Sequence, residues 1–323
     1  MTNFRHIDVF NGDADGLCAL HQLRLAEPVA SQLITGVKRD IKLLQRVAAV
    51  AGDRITVLDV SLDTNREPLR RFLDAGVHIR YFDHHFAGDI PVHPRLEAHI
   101  DTSSDVCTSA LVDRHLGGSH RPWAVAAAFG DNLPRLGQSL AASSNLTQAR
   151  TRQLAALGEL LNYNGYGDTL ADLHIHPAEL YRLMRPYSDP FAFIAESAAY
   201  RQLAAGHADD MACAASLTSH RETAHTILLI LPDAAWARRV SGVLANDWAR
   251  RHPDQALAVL SPNTRGHLTV SVRAPVSRPE GADTLCRQFP SGGGRKAAAG
   301  INDLSADEID RFSESFDRHF ATA

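Results

Sequence analysis

No two cysteines of this chain stand at a C-x-x-C spacing, and only four occur in 323 residues: Cys18, Cys107, Cys213 and Cys286. That excludes the common cysteine-ligated zinc and thiol redox motifs. The scattered thiols read as small buried residues of a reducing compartment. No apolar run approaches the length of a membrane span, and the opening "MTNFRHIDVFNGDADG" has no charged-then-apolar leader. The expectation is a cytoplasmic protein with no membrane partner. Positive charge is not in excess either: 33 Lys and Arg stand against 37 Asp and Glu, a net charge of −4. Any nucleic acid contact is therefore local rather than a broad electrostatic stripe. Internal repeats and low-complexity tracts are absent, and the one glycine-rich element is "SGGGRKAAAG", 291–300. The composition is that of a globular protein, and the length exceeds one ordinary core, so two domains are expected.

Hydrophobic patterning supplies the elements. "HIDVF", "RITVLDV" and "VHIRYFD" read as strands, with helical spacing in "GLCALHQLRLA" and "NREPLRRFLDAG" between them. Strand, helix, strand, helix, strand implies a mostly parallel sheet flanked by helices. From about 106 to 205 the pattern is helical. "HTILLILP", "ALAVLSP" and "HLTVSVRAP" then restore strands, with helices at "DAAWARRVSGVLANDWARRH", "GADTLCRQFP" and "ADEIDRFSESFDRHF". The fold class is two-domain α/β. The first domain is placed at 1–190, a helical linker at 191–222 and a smaller second α/β domain at 223–323.

Ligands of parallel α/β sheets sit beyond the carboxyl ends of the strands. "HIDVF" runs into Asn11, Asp13 and Asp15, and "RITVLDV" brings Asp59. "VHIRYF" runs into Asp83, His84 and His85, while "AVAAAFGDNL" carries Asp131 after a buried helix. Taken singly each is ordinary, a helix cap or a strand-end turn. Together they aim several carboxylates at one sheet edge, where mutual repulsion disfavours ionisation unless a cation intervenes. Mixed carboxylate and imidazole donors suit manganese, iron or zinc, and the carboxylate majority leans to manganese or magnesium. Two such ions would suit phosphoester hydrolysis.

"DHH" at 83–85, "NGDADG" at 11–16, Asp59 and "GDN" at 130–132 resemble the four motifs of the DHH phosphoesterase superfamily. "GGGRKAAAG" looks like the glycine-rich signature of the DHH-associated domain, and "LTVSVRAP" resembles the strand before it. The motifs run in the family's order from about 5 to 300. The resemblance implies two α/β domains facing across a cleft, with Asp13, Asp59, His84 and Asp131 as ligands of two manganese ions. It gives Asp83 and His85 assisting roles near the phosphate or leaving group. Substrate contacts are implied for Arg273, Gly292, Gly293, Gly294, Arg295 and Lys296.

Two departures stand out. Anchored on Gly16, the usual D-x-D-x-x-G pattern lands on Asn11 and Asp13; anchored on the acids, it is Asp13 and Asp15. Both alternatives stay open, so Asn11 and Asp15 are both candidate ligands. Arg295 replaces the family's histidine, which favours phosphate anchoring over proton transfer. The expected substrate is a short oligonucleotide, a small nucleotide or another phosphoester. Pyro- or polyphosphate hydrolysis and a non-catalytic nucleotide sensor are the alternatives, and a homodimer is left open. Tyr163 and Tyr166, in "LLNYNGYGDTLADLHIHP", are read first as partly buried connection residues and second as a platform for a base.

Overall fold

The computed structural model describes residues 4–321. Its contacts divide the chain into two compact units. One takes the chain up to Gly165 together with Leu173–Ala205, and the other takes Tyr166–Asp172 together with the chain from Gly206 onward.

In the first unit β1 (His6–Phe10), α1 (Ala14–Ala26), β2 (Ser31–Thr35), β3 (Arg54–Leu58), α2 (Arg66–Asp74), β4 (His78–Asp83) and β5 (Leu96–Ile100) come first. The helices α3 (Thr108–His115), α4 (Arg121–Gly130), α5 (Pro134–Ser143), α6 (Gln148–Gly165), α7 (Pro177–Met184), α8 (Pro190–Glu196) and α9 (Ala198–Ala214) follow. The chain passes into the second unit within α9. The sheet order is β2-β1-β3-β4-β5, and every pairing is parallel. The expected parallel sheet is therefore present, with β2 and β5 added at its edges. Alternation along β1 explains the layers. Ile7 and Val9 join Ile55, Val57, Ile79 and Tyr81 in the core that includes Leu69 and Phe72 of α2. Phe10 faces the opposite core with Leu17, Leu20, Trp123 and Leu157. Asp8 shares that second face and is fully buried, which its bidentate pair with Arg24 (2.5 and 2.9 Å) makes tolerable.

The second unit contains β6 (Arg221–Glu222), β7 (Thr226–Ile230), α10 (Ala235–Arg251), β8 (Ala256–Pro262), β9 (Leu268–Arg273), α11 (Ala282–Cys286), β10 (Gly292–Gly294), β11 (Ala298–Leu304) and α12 (Ile309–Ala321). Its mixed sheet runs β10-β11-β9-β8-β7-β6. Its own core gathers Leu260, Val270, Leu285, Phe312 and Phe316. Among the described residues no helix is long and apolar enough to cross a membrane. Cys18, Cys107 and Cys286 are buried as expected, whereas Cys213, near the end of α9, is exposed.

Candidate metal centre

The turns leaving β1, β3 and β4 at the carboxyl edge carry the polar residues. Asp13 is the N-cap of α1, and its Oδ1 accepts the amides of Asp15 (3.0 Å) and Gly16 (3.1 Å). Residue 16 has to be glycine in this tight turn, since a Cβ there would lie 2.2 Å from the carbonyl oxygen of Asn11. The other oxygen of Asp13 pairs with the ammonium of Lys38. Lys38 also donates to Asn162 Oδ1 at 2.9 Å and lies 3.5 Å from Asp131 Oδ1. Burial works against a charged Asp13, but Lys38 outweighs it and holds the carboxyl below its usual range.

Asp15 turns toward α3. Its two oxygens accept the amides of Thr108 and Ser109, both at 2.7 Å, and so cap that helix from a distance in sequence. Burial and the charges of Asp131 and Asp13 raise its pKa. Asp59 follows β3 in the left-handed region, φ +59°, which aspartate tolerates better than most residues. Its amide donates to the Phe82 carbonyl (3.0 Å), and its Oδ1 accepts the Thr108 hydroxyl (3.1 Å). Burial together with the charges of Asp15 and Asp13 pushes its pKa well above the ordinary carboxylate range.

His84 donates Nδ1–H to the Val106 carbonyl at 2.9 Å. Its Nε2 is thereby aimed at Asp59 Oδ1 (3.4 Å) and Asp131 Oδ2 (3.7 Å). A ring tied at one nitrogen and directed by the other is how metal-bound imidazoles are held. Burial disfavours its charge, yet Asp59, Asp15 and Asp131 prevail and push its pKa up to about 10. His85, 40% exposed, donates Nδ1–H to Asp83 Oδ1 at 2.7 Å, and Asp83 is fully buried with its other oxygen unpartnered among the described residues. Asn11 is buried; its Nδ2 donates to the Lys38 carbonyl at 3.3 Å, and its Oδ1 has no donor among the described residues.

Donor atoms converge in two triads. Asp15, His84 and Asp131 form one, Asp59, His84 and His85 the other, with all donors of each within 4.8 Å. The charge pattern fits a divalent cation. Lys38 compensates Asp13, while burial and the neighbouring carboxylates keep the pKa values of Asp15 and Asp59 raised, with His84 offsetting only part.

In the second unit the glycine-rich stretch forms an edge strand with a hairpin. Gly292, Gly293 and Gly294 pair with Ile301, Gly300 and Ala299, and Arg295 and Ala298 exchange backbone hydrogen bonds around the turn. A Cβ on Gly292 would lie 1.8 Å from the Cys286 carbonyl oxygen, so close backbone packing explains that glycine. Arg295 and Lys296 are exposed at the hairpin tip, and their side chains have no partner among the described residues. Arg273 sits opposite Ala298 in the sheet register. Its guanidinium donates to Asn246 Oδ1, Ser271 Oγ and the Val272 carbonyl, with no carboxylate partner among the described residues, and burial lowers its pKa.

Lys38, Thr108 and Asn162 are additions that the sequence reading lacks. Lys38 lies just past β2, so recognising "SQLIT" as a strand would have placed it at the same edge. Of the two tyrosines, Tyr163 is fully buried with its hydroxyl 2.7 Å from His174 Nε2, and Tyr166 lies against Gly242 of α10. The aromatic side chain exposed beside the motif residues is Phe86, at 73%.

Neither the family models nor the curated proteins searched contain a match to this sequence. Solved structures do match. An exonuclease RecJ bound to manganese superposes with a TM-score of 0.66 at 17% identity, covering 99% of this chain and 90% of that one. The DHH domain of a member of a ribosomal-protein family gives 0.63 at 12%, covering 98% and 86%. The pGpG-specific phosphodiesterase PggH from Vibrio cholerae gives 0.61 at 14%, covering 99% of both chains.

Proposed function

Because the chain has the fold of the DHH superfamily, we propose that it is a phosphoesterase that uses manganese, with magnesium as the alternative ion, to hydrolyse short oligonucleotides or small nucleotides. The observation that carries this reading is the convergence of donor atoms of Asp15, Asp59 and Asp131 on His84 at the carboxyl edge of the parallel sheet. Asp13, Asp15, Asp59, His84 and Asp131 would hold two ions, and Asn11, whose buried Oδ1 has no partner among the described residues, is a further candidate. The manganese of the RecJ structure supports the choice of ion. Bound ions supply charge neutralisation at the phosphate and an acidified water.

The chain's own groups do the rest. Asp83 holds the Nδ1–H of His85, so that the imidazolium form of this half-exposed ring carries its second proton on Nε2, hands it to the departing oxygen and is left as the neutral Nδ1–H tautomer. Among the described residues Arg273, Arg295 and Lys296 are cations without carboxylate partners, suited with the Gly292–Gly294 strand to anchoring phosphate. Arg295, a guanidinium with a fork of donors and no acceptor, binds rather than transfers protons. Phe86, exposed next to His85, offers a face on which a base can stack. That favours a nucleotide over pyrophosphate, which has nothing to stack.

The experiment is turnover by the purified protein with manganese, against dinucleotides, longer single strands, phosphoadenosine phosphate and pyrophosphate. Hydrolysis of a nucleotide substrate that stops on chelation is the expected result. Phe86→Ala should raise KM on that substrate by about five- to a hundredfold, the range of one lost base stack of about 1–3 kcal/mol. Nucleotide binding without turnover of any substrate would replace the hydrolase by a sensor.

A further inference from the structure

A second set of metal-donor side chains lies away from the centre just described. On β5, Glu97 and His99 project to one face, two residues apart. The register sets them opposite Arg80 and Phe82 of β4. His115 comes from the last turn of α3 and Glu27 from the C-cap of α1. One donor atom each from Glu97, His99 and His115 lies within 4.8 Å of the others. His99 Nε2 is 2.7 Å from Glu97 Oε1, and His115 Nε2 is 3.9 Å from Glu27 Oε1.

The groups behind these donors hold them in place. Arg80 donates to Glu97 Oε2 at 3.0 Å and to Glu27 Oε2 at 2.8 Å. Each carboxylate thus spends one oxygen on the guanidinium and turns the other toward an imidazole. The His99 ring stacks on Phe82 (4.4 Å, 7°), and His115 meets both rings edge-on. Two oriented imidazoles and two oriented carboxylates, drawn from two elements and a helix cap, are the makings of a four-coordinate N₂O₂ site. Supporting hydrogen bonds of this kind are the usual outer layer of metal ligands.

The geometry points to a zinc-class divalent ion bound by Glu27, Glu97, His99 and His115, independent of the candidate catalytic centre. The two nitrogen donors argue against magnesium and calcium, which take oxygen ligands. Its place is structural: the ion would pin the C-terminal ends of α1 and α3 to the edge strand β5. A tetrahedral ion with bonds of about 2.0–2.2 Å needs donors roughly 3.3–3.6 Å apart. His99 and Glu97, 2.7 Å apart, have to open by about 0.6–0.9 Å, His115 and Glu27 to close by about 0.3–0.6 Å, and no pair within the triad has to close by more than about 1.5 Å.

The test uses the full chain, stripped by a chelator and titrated with Zn²⁺ alone and with Co²⁺ alone as a spectroscopic substitute. Glu97→Gln keeps the size of a half-exposed residue, and His115→Ala removes an imidazole. Both variants should lose one zinc ion per chain, or bind it at least about a hundredfold more weakly, along with the visible cobalt band of a tetrahedral site. Manganese uptake should stay at the parent level in both. Zinc stoichiometry, zinc affinity and the cobalt spectrum all unchanged in Glu97→Gln would overturn the assignment, whatever the behaviour of His115→Ala.

Discussion

Asp59 is held in a left-handed turn, buried with Asp13, Asp15 and His84 around it. Its raised pKa means that the folded chain keeps a proton that the unfolded chain has released. The folded state therefore loses stability as pH rises from the ordinary carboxylate value toward the raised one. Asn tolerates the same backbone and carries no charge. In the presence of chelator at pH 7, Asp59→Asn should melt higher than the parent. The same variant should take up manganese and hydrolyse substrate more than about a hundredfold less well, beyond what loss of a supporting group costs. A lower melting point in chelator, or undiminished metal uptake, would remove Asp59 from the centre. His84 gives a second residue-scale test. With its pKa pushed up to about 10, the ring is protonated at neutral pH and must lose that proton to become a ligand. Manganese binding should therefore release at least one proton, and apparent affinity should climb by up to about tenfold per pH unit below 10. Titration calorimetry in buffers of different ionisation enthalpy measures this, and His84→Asn should abolish that share of the release.

At the scale of elements, α3 depends on a carboxylate from another segment. Asp15→Asn would turn an amide NH₂ against one of the two backbone N–H groups that Asp15 now accepts. A buried donor left unsatisfied costs about 1–3 kcal/mol, at about 2–4 °C per kcal/mol for a unit of this size. Asp15→Asn should thus lower the melting point in chelator, opposite in sign to Asp59→Asn. The same scale explains what could be read in the sequence. β1, β3 and β4 lie inside the sheet, are covered on both faces and read as apolar runs. Their end residues Asp13, Asp59, Asp83 and His84 were legible with them. β2 and β5 are edge strands; "SQLIT" and "LEAHI" mix polar and apolar residues because one side meets solvent. Missing β2 hid Lys38, and missing β5 hid the partners of Arg80 and Phe82. Thr108 and Val106 were illegible for another reason: they serve the site through a backbone group and a hydroxyl, which no residue pattern announces.

At the scale of the whole molecule, a net charge of −4 leaves little general attraction for nucleic acid. If Arg273, Arg295 and Lys296 are the phosphate anchors, at most three counterions leave on binding. The slope of log K against log salt for a single strand should then be no steeper than about −2. Anisotropy of a labelled oligonucleotide on the Asp59→Asn chain reads it, and a slope of about −5 would demand cations not among these three. Arg295 is exposed and unpaired among the described residues, so Arg295→Ala should leave stability alone. It should raise KM by roughly ten- to a hundredfold through loss of one charge-assisted contact, with Arg295→Lys recovering part. A collapse of kcat at unchanged KM would put the hairpin in the chemical step instead. The first unit also carries a constraint of phase. α3 meets Asp15 at its first residues and Phe82 with His115 at its last, seven residues and about 10.5 Å apart. One residue inserted in that helix would turn His115 by about 100° relative to Thr108, and even a full added turn would overshoot by about 6 Å. Substitutions along α3 are therefore far cheaper than any change in its length.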